Sequence, residues 1–432
     1  MSIISDHGRQ FAFAKLFGSA LTSQALLSAA SFMVGLLLIR HASDLQYGYY
    51  VLASGAVLLM ISLQSSFLNP ALVNRITPLD RSARGDLVGG LYRDQNRVLK
   101  TSGAIAFAIT VALWYAGLLD RYTGPLLLAT IAATFAILQR NFFRMVLMAH
   151  RRPHDVLLTD LYYVVVLVLG IFAAIQLPAP AIGAMVVMCL AAVVSGIMLS
   201  RALWRYEPWN IRGAAGILRT IAPIAAWSTA GAAIHWLFSQ GYMYLAAGTL
   251  DLTAVAAIAA TRLLMMPLNL LSTGIGTLML PLTAGWLHHH NVTYAWRRLS
   301  LFALGLACVS ICYFAVLWLT RDWIFTVVLH KQFAHRDQLL LLWSLAFLPM
   351  VVRDQLLYLL VARERFHQLT SLAFVSAVIS LLTGYIGMVQ FGVIGAPLGV
   401  FFGEIINLSG VVVLSLRHIA PIRRAAVASE IT

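Results

Sequence analysis

Long apolar runs alternate with short polar connections along the whole chain. Twelve runs can be drawn, at residues 11–39, 47–73, 99–119, 125–148, 156–175, 181–203, 214–238, 251–280, 299–319, 339–361, 369–389 and 393–416. Each approaches or exceeds the roughly twenty residues that cross hydrocarbon at about 1.5 Å per residue. Their apolarity is nearly continuous, which argues for helices and against the alternating short strands of an outer-membrane barrel. The pattern predicts an all-α polytopic membrane protein with twelve transmembrane helices. The first run is longer than the apolar stretch of a cleaved signal and more runs follow it, so the expectation is that the whole chain stays in the membrane.

The eighth run is the least ordinary. Residues 251–286 read DLTAVAAIAATRLLMMPLNLLSTGIGTLMLPLTAGW, with Arg262 well inside and Pro267 and Pro281 bracketing a segment that holds glycine and threonine. Proline lacks the N–H and clashes with the preceding turn, so the bracketed backbone is expected to depart from an ideal helix. Two readings stand: transport machinery, or a structurally paired arginine with prolines that only shape a bundle.

RYEPWN, with Pro208, falls near the midpoint and divides the chain into an N-terminal six-helix half, 1–208, and a C-terminal one, 209–432. AIGAMVVMCLAAVVSGIMLS in the sixth run and VIGAPLGVFFGEIINLSGVV in the twelfth share I-G-A at the same place, and both are rich in small residues that let helices approach closely. LISLQSSFLNPALVNRITP late in the second run, with Pro70, matches the proline-bearing end of the eighth. Both comparisons suggest a parallel duplication. Within the connection at 74–98, residues 82–99 read as an ordinary solvated connector, with a short surface helix meeting anionic lipid heads as the alternative.

Composition agrees with the pattern. Of 432 residues 60% are hydrophobic and 11% charged, against about 25% charged in ordinary soluble domains. The formal charge of +14 resides mostly in short connections. Nucleic-acid binding is therefore not expected. Arg75, Arg81, Arg84, Arg93, Arg97 and Lys100 fill the second connection, and Arg151, Arg152, Arg201, Arg205, Arg297, Arg298, Arg363 and Arg365 lie in or beside other even-numbered ones, so the positive-inside rule places both termini in the cytoplasm. Cys189, Cys308 and Cys312 lack metal-ligand spacing and read as buried packing residues. His288, His289 and His290 read as a surface loop.

A charge facing hydrocarbon costs at least about 2.5–3.5 kcal/mol, so charged residues inside the runs should face a cavity or one another. They are Arg140 and Arg144 in the fourth run, Arg262 in the eighth, Arg353 and Asp354 in the tenth, and Glu404 in the twelfth. Arg140 and Arg144, four apart, share a helical face and repel unless an anion or an acidic partner neutralises them. If the fourth span ended before Arg144, both arginines would instead reach toward headgroups. Arg353 and Asp354 point about 100° apart on a helix, so each is expected to find its partner elsewhere. Glu404 is a structural pairing partner or a group that titrates during transport. Gln24 and His235 can donate hydrogen bonds to a cargo or serve packing; Gln240 and Asn407 are weaker candidates. Asp251 reads as a helix N-cap.

No phosphate loop, dinucleotide fingerprint or H-E-x-x-H motif is present in the sequence, which predicts a non-enzymatic protein without a cofactor. The twelve-run layout, RLLMMPLNLLSTGIGTLMLP and GVIGAPLGV at 392–400 resemble Wzx-like polysaccharide flippases of the multidrug/oligosaccharidyl-lipid/polysaccharide (MOP) superfamily, Arg262, Leu263, Pro267, Leu270 and Pro281 falling at the motif positions. The resemblance implies two six-helix bundles arranged as a V. It also implies alternating access, and an undecaprenyl-pyrophosphate-linked oligosaccharide as cargo flipped to the periplasmic leaflet of a bacterial inner membrane. Arg140, Arg144, Arg262, Arg353, Gln24 and His235 would contact cargo. Asp354 and Glu404 would pair charges or couple to H+ or Na+, and Pro70, Pro267 and Pro281 would shape moving walls. Membrane lipids, a polysaccharide polymerase and glycosyltransferases are the partners it implies. A MATE-like drug antiporter and a non-transporting scaffold of an assembly complex are the alternatives.

Overall fold

The computed structural model describes residues 3–76, 79–206, 209 and 216–431. Pro208 lies outside them. Among the described residues the long elements are all α-helical: α1 (Ile3–His41), α2 (Asp44–Ile76), α3 (Arg81–Tyr115), α4 (Thr123–Ala149), α5 (Pro153–Ala174), α6 (Pro180–Tyr206), α7 (Ile217–Thr249), α8 (Leu252–Leu263), α9 (Met266–His289), α10 (Val292–Trp323), α11 (Arg336–Ala362), α12 (Phe366–Phe391) and α13 (Gly395–Ile431). Among the described residues ten stretches are long and apolar enough to cross a membrane, and eleven if α7, bent by 71° near Pro223, is one span. The chain packs as two compact units, Met1–Ala233 and Ile234–Thr432.

The helices are inside-out relative to a soluble bundle. On α5, Val156, Asp160, Tyr163, Leu167, Ile171 and Ala174 are buried, whereas Leu158, Leu161, Val165, Leu169 and Phe172 are exposed on the other side. Both faces are apolar; the inner one carries the polar groups. This is the expected distribution where lipid, not water, bathes the surface.

In the first unit α4 packs on α2, α3 and α6, and α5 pairs with α1 and α6. Its core gathers Leu68, Leu72, Val88, Leu91, Phe142, Leu147, Leu199 and Leu203, and Tyr92 and Trp209 meet edge to face at 4.9 Å. Residues 82–99 therefore form no solvated connector and no separate surface helix: they are the first half of α3. Asp80 caps it, accepting from the Ala83 N–H at 2.9 Å, and Val88 and Leu91 carry it into the core.

In the second unit α11 packs on α8, α9, α10 and α13, and α12 on α13. The 52-residue run at Phe366–Arg417 would extend ~78 Å as one helix. It folds back at Gly392, where φ is +63°. A Cβ on Gly395 would lie 2.0 Å from the Met388 nitrogen, and one on Gly399 2.4 Å from the Gly384 Cα. The glycines of GVIGAPLGV thus let two backbones touch.

The eighth apolar run breaks, but not between its prolines. α8 ends at Leu263 and α9 begins at Met266, with Pro267 in its first turn and Pro281 inside a continuous helix. Pro267 is well suited to the first turn, where no N–H partner is needed. The break frees the Leu264 carbonyl, which accepts from the Tyr313 hydroxyl at 2.6 Å. Asp251 caps α8 as expected, accepting from the Ala254 N–H at 2.6 Å and the Thr253 hydroxyl at 2.7 Å. Cys308 and Cys312 are exposed on the outward face of α10, not buried, because Ala303, Leu306 and Ser310 take its inner face.

Two stability predictions follow from these contacts. Gly399→Ala should cost about 1–3 kcal/mol through overpacking, read as a lower Tm in detergent, whereas Gly305→Ala, whose site is open, should not. The hydrogen bonds from Ala254 and Thr253 hold the Asp251 carboxyl below its ordinary range. Its contribution is therefore present above the unfolded-state pKa and lost as pH falls through the lower folded-state value. Asp251→Ala should cost about 1 kcal/mol at pH 7, and thermal melts should show the difference from wild type vanish in that acidic window.

Candidate functional site

Among the described residues each unit holds one buried ion-pair cluster. In the first, α4 carries Arg140 and Arg144 on one face toward α5. Both arginines reach Asp160: Arg140 through a close contact of Nη2 with Oδ1, and Arg144 through Nε at 3.1 Å from Oδ2. Ser23 on α1 donates to the same carboxylate and accepts from Arg144 Nη2 at 3.1 Å. The Arg140 guanidinium lies 3.9 Å from the Tyr163 ring centroid. Asp160 is wholly buried and Arg140 is 6% exposed. Because α4 continues to Ala149, Arg144 sits within the helix and is not beyond its end. Two guanidiniums thus share one carboxylate, which leaves one positive charge in excess.

Asp160 is the residue that the sequence reading passed over. Its signal was available: it is the one acidic residue inside the fifth run, one helical turn after Val156. Ser23, not Gln24, joins the cluster; Gln24 is exposed, since one residue turns a helix by about 100°. A second polar group lies beside it, where Asn141 Nδ2 donates to Gln64 Oε1 at 2.8 Å and to Ser65 Oγ at 3.1 Å.

In the second unit Arg353 on α11 meets Glu404 on α13, Nε to Oε2 at 3.4 Å, and Asp354, Nη2 to Oδ1 at 3.0 Å. Adjacent Arg353 and Asp354 do therefore pair. The helical angle separates their Cβ directions, but the four-bond arginine stem curls back across it. Asp354 also accepts from Ser272 Oγ at 3.3 Å, and Ser272 accepts from Gln355 Nε2 at 3.3 Å. Glu404, buried, is engaged by Arg353 as a pairing partner. His235 is exposed and within electrostatic reach of Arg353, Asp354 and Arg262.

Arg262, at the end of α8, is separate from that pair. It donates to Gln240 Oε1 at 3.3 Å, and its guanidinium lies 5.5 Å from the Tyr242 ring and 5.9 Å from the Trp343 ring. Pro70 lies inside α2, and Pro267 and Pro281 lie in α9.

The two clusters occupy matching places. Arg140 lies seventeen residues after the first residue of α4, and Arg353 seventeen after the first of α11, both helices having 27 residues. Their successors, Asn141 and Asp354, each contact a serine, Ser65 on α2 and Ser272 on α9. The counter-ion differs: it comes from α5 in one unit, and from α13 and α11 itself in the other.

No family model matches the chain, and no curated relative matches it in sequence. Its fold does match solved transporters. A multidrug resistance MATE family transporter of the MOP superfamily, inward-facing, aligns at TM-score 0.71 and 13% identity over 94% of this chain and 99% of that one. The lipid II flippase MurJ, in an inward closed conformation, aligns at 0.76 and 11% over 91% and 86%. A MOP superfamily transporter from Pyrococcus furiosus, described as having a binding pocket of reversed polarity, aligns at 0.63 and 13% over 95% of each chain. At these identities the likeness establishes the fold, that of MOP-type transporters.

The shared carboxylate separates the two arginines of the first unit. Asp160→Asn leaves two buried cations facing each other and should cost about 3–5 kcal/mol. Arg140→Gln leaves Arg144 to neutralise Asp160 and should cost clearly less. Thermal unfolding of the purified variants in one detergent checks the order.

Proposed function

We propose that this chain is a multi-pass secondary transporter working by alternating access. The folded-back run α12–α13, the bent α7 and the broken pair α8–α9 then each supply their passes, for twelve in all, with both termini cytoplasmic. The MATE transporters among the structural matches favour a small-molecule antiporter; if H+ or Na+ drives it, Asp354 and Glu404 are the groups through which coupling would act.

The observation that narrows the cargo is the state of the intramembrane carboxylates. Asp160, Asp354 and Glu404, the carboxylates of the two buried clusters, are each engaged by arginine, so neither cluster offers an unpaired carboxylate to a cationic drug. The first unit carries a guanidinium in excess. A cargo with an anionic group fits that balance, because lost hydration of the anion is offset by charge-assisted hydrogen bonds.

The same excess supports a second reading, the flipping of an undecaprenyl-pyrophosphate-linked oligosaccharide for exopolysaccharide, O-antigen or capsule synthesis. The fold likeness to a lipid II flippase points the same way. A scaffold role has no comparable observation behind it.

Proteoliposomes decide among these. For the antiporter reading, an imposed proton or sodium gradient should drive uptake of anionic dyes at least tenfold faster with protein than without, and cationic dyes should not respond. For the flippase reading, a lipid-linked glycan should become accessible to an external probe faster with protein, with no gradient-driven dye movement. Absence of both activities in correctly inserted protein contradicts the transport reading.

A further inference from the structure

The outward face of α6 ends in cations that the buried cluster of the first unit does not use. Val186, Leu190, Val193 and Ile197 are all exposed and recur every three or four residues, so they form one stripe along the helix. From Val186 to Ile197 the helix rises about 17 Å, close to the roughly 15 Å of hydrocarbon in one leaflet. The next residues on the same stripe are Arg201, Trp204 and Arg205, again exposed. An apolar face one leaflet deep thus passes directly into two guanidiniums and an indole. That order is the one expected where acyl chains give way to headgroups.

Tyr206, the last residue of α6, gathers two more arginines from other elements. The guanidinium of Arg152, the N-cap of α5, lies 3.9 Å from the Tyr206 ring centroid, as close as the buried Arg140 lies to Tyr163. Arg81, the first residue of α3, donates from Nη2 to the Tyr206 carbonyl at 2.9 Å. A helix C-terminus attracts cations, which accounts for Arg81 on that carbonyl. It does not account for Arg152, which is held by the ring and not by a carbonyl. An exposed arginine is ordinarily mobile, whereas stacking fixes this fork and leaves its N–H edge to other acceptors. Among the described residues no carboxylate forms an ion pair with Arg81, Arg152, Arg201 or Arg205.

We propose that this end of α6 is a binding site for one anionic phospholipid of the leaflet that the charge pattern assigns to the cytoplasm. The acyl chains lie along the stripe from Val186 to Ile197. The headgroup phosphate is met by Arg152 and Arg81 at Tyr206 and by Arg201 and Arg205 on the preceding turns, through charge-assisted hydrogen bonds. A lipid is the ligand, and not a free anion, because the apolar stripe and the cations are continuous on one helix face. The site shares no residue with the Arg140–Asp160 cluster and does not depend on the transport reading.

A thermal-shift titration of the purified full chain, in detergent at constant ionic strength, tests this. Phosphatidylglycerol is added in mixed micelles, with phosphatidylcholine and sodium phosphate as the matched probes. Wild type should be stabilised saturably by phosphatidylglycerol and at least tenfold less tightly by either of the others. Arg152→Gln combined with Arg201→Gln should weaken the phosphatidylglycerol response at least tenfold, since each arginine near a headgroup contributes about fivefold. Both side chains are exposed, so the fold should tolerate the change. Tyr206→Leu keeps every charge but removes the platform under Arg152, and should weaken the response several-fold. Arg297→Gln with Arg298→Gln, which removes the same charge from another connection, should leave it unchanged. The proposal is overturned if phosphatidylglycerol stabilises wild type no better than phosphatidylcholine, or if sodium phosphate does as well as the lipid. It is equally overturned if the Arg297 and Arg298 pair matters as much as the Arg152 and Arg201 pair, because net charge alone would then explain the response.

Discussion

Charge neutralisation away from water governs this structure. A guanidinium inside an apolar bundle has no hydration shell, so its position is tolerable only where protein groups replace that shell. Arg140 and Arg144 converge on Asp160, and Arg353 on Asp354 and Glu404. Each arrangement fixes which helices must adjoin: α4 with α5 and, through Ser23, with α1; α11 with α13 and, through Ser272, with α9. Small residues then allow the approach. Gly196 lies against the Arg140 backbone, with 3.5 Å from its would-be Cβ to the Arg140 Cα, and Gly395 and Gly399 bring α12 onto α13.

The two units solve the same problem with different partners. Equivalent arginines on equivalent helices have a carboxylate deficit in the first unit and two carboxylates for one arginine in the second. The two clusters thus carry opposite imbalances, a cation in excess in the first unit and a carboxylate in excess in the second. The pairing pattern therefore carries more information about function than the bare number of intramembrane charges.

Much of this was legible in the sequence. Apolar runs located the helices, and charges within them located the clusters, because lipid penalises both exposed backbone and exposed charge. Helix faces were not legible. In α5 both faces are apolar, so periodicity gave no warning that Asp160 faces Arg140, nor that Ser23 rather than Gln24 joins them. The α3 segment at 82–99 was misread because its charges suggested solvent, while Val88, Leu91 and the Asp80 cap already marked a helix. Pairing of Arg353 with Asp354 escaped a rule based on Cβ direction, which ignores the reach of arginine. The break before Pro267 followed proline's preference for a first turn, which the sequence permitted but did not single out from a kink between the prolines.

The central claim is that these buried pairs serve transport and are not merely structural. Replacing Arg353 with Met and Glu404 with Leu, together with Asp354→Asn, removes the second cluster without leaving a buried charge, so the fold should persist or gain stability. Cargo movement in proteoliposomes, normalised to folded protein, is the deciding measurement. The account predicts at least a tenfold loss with an undiminished Tm; wild-type transport by this variant would contradict it.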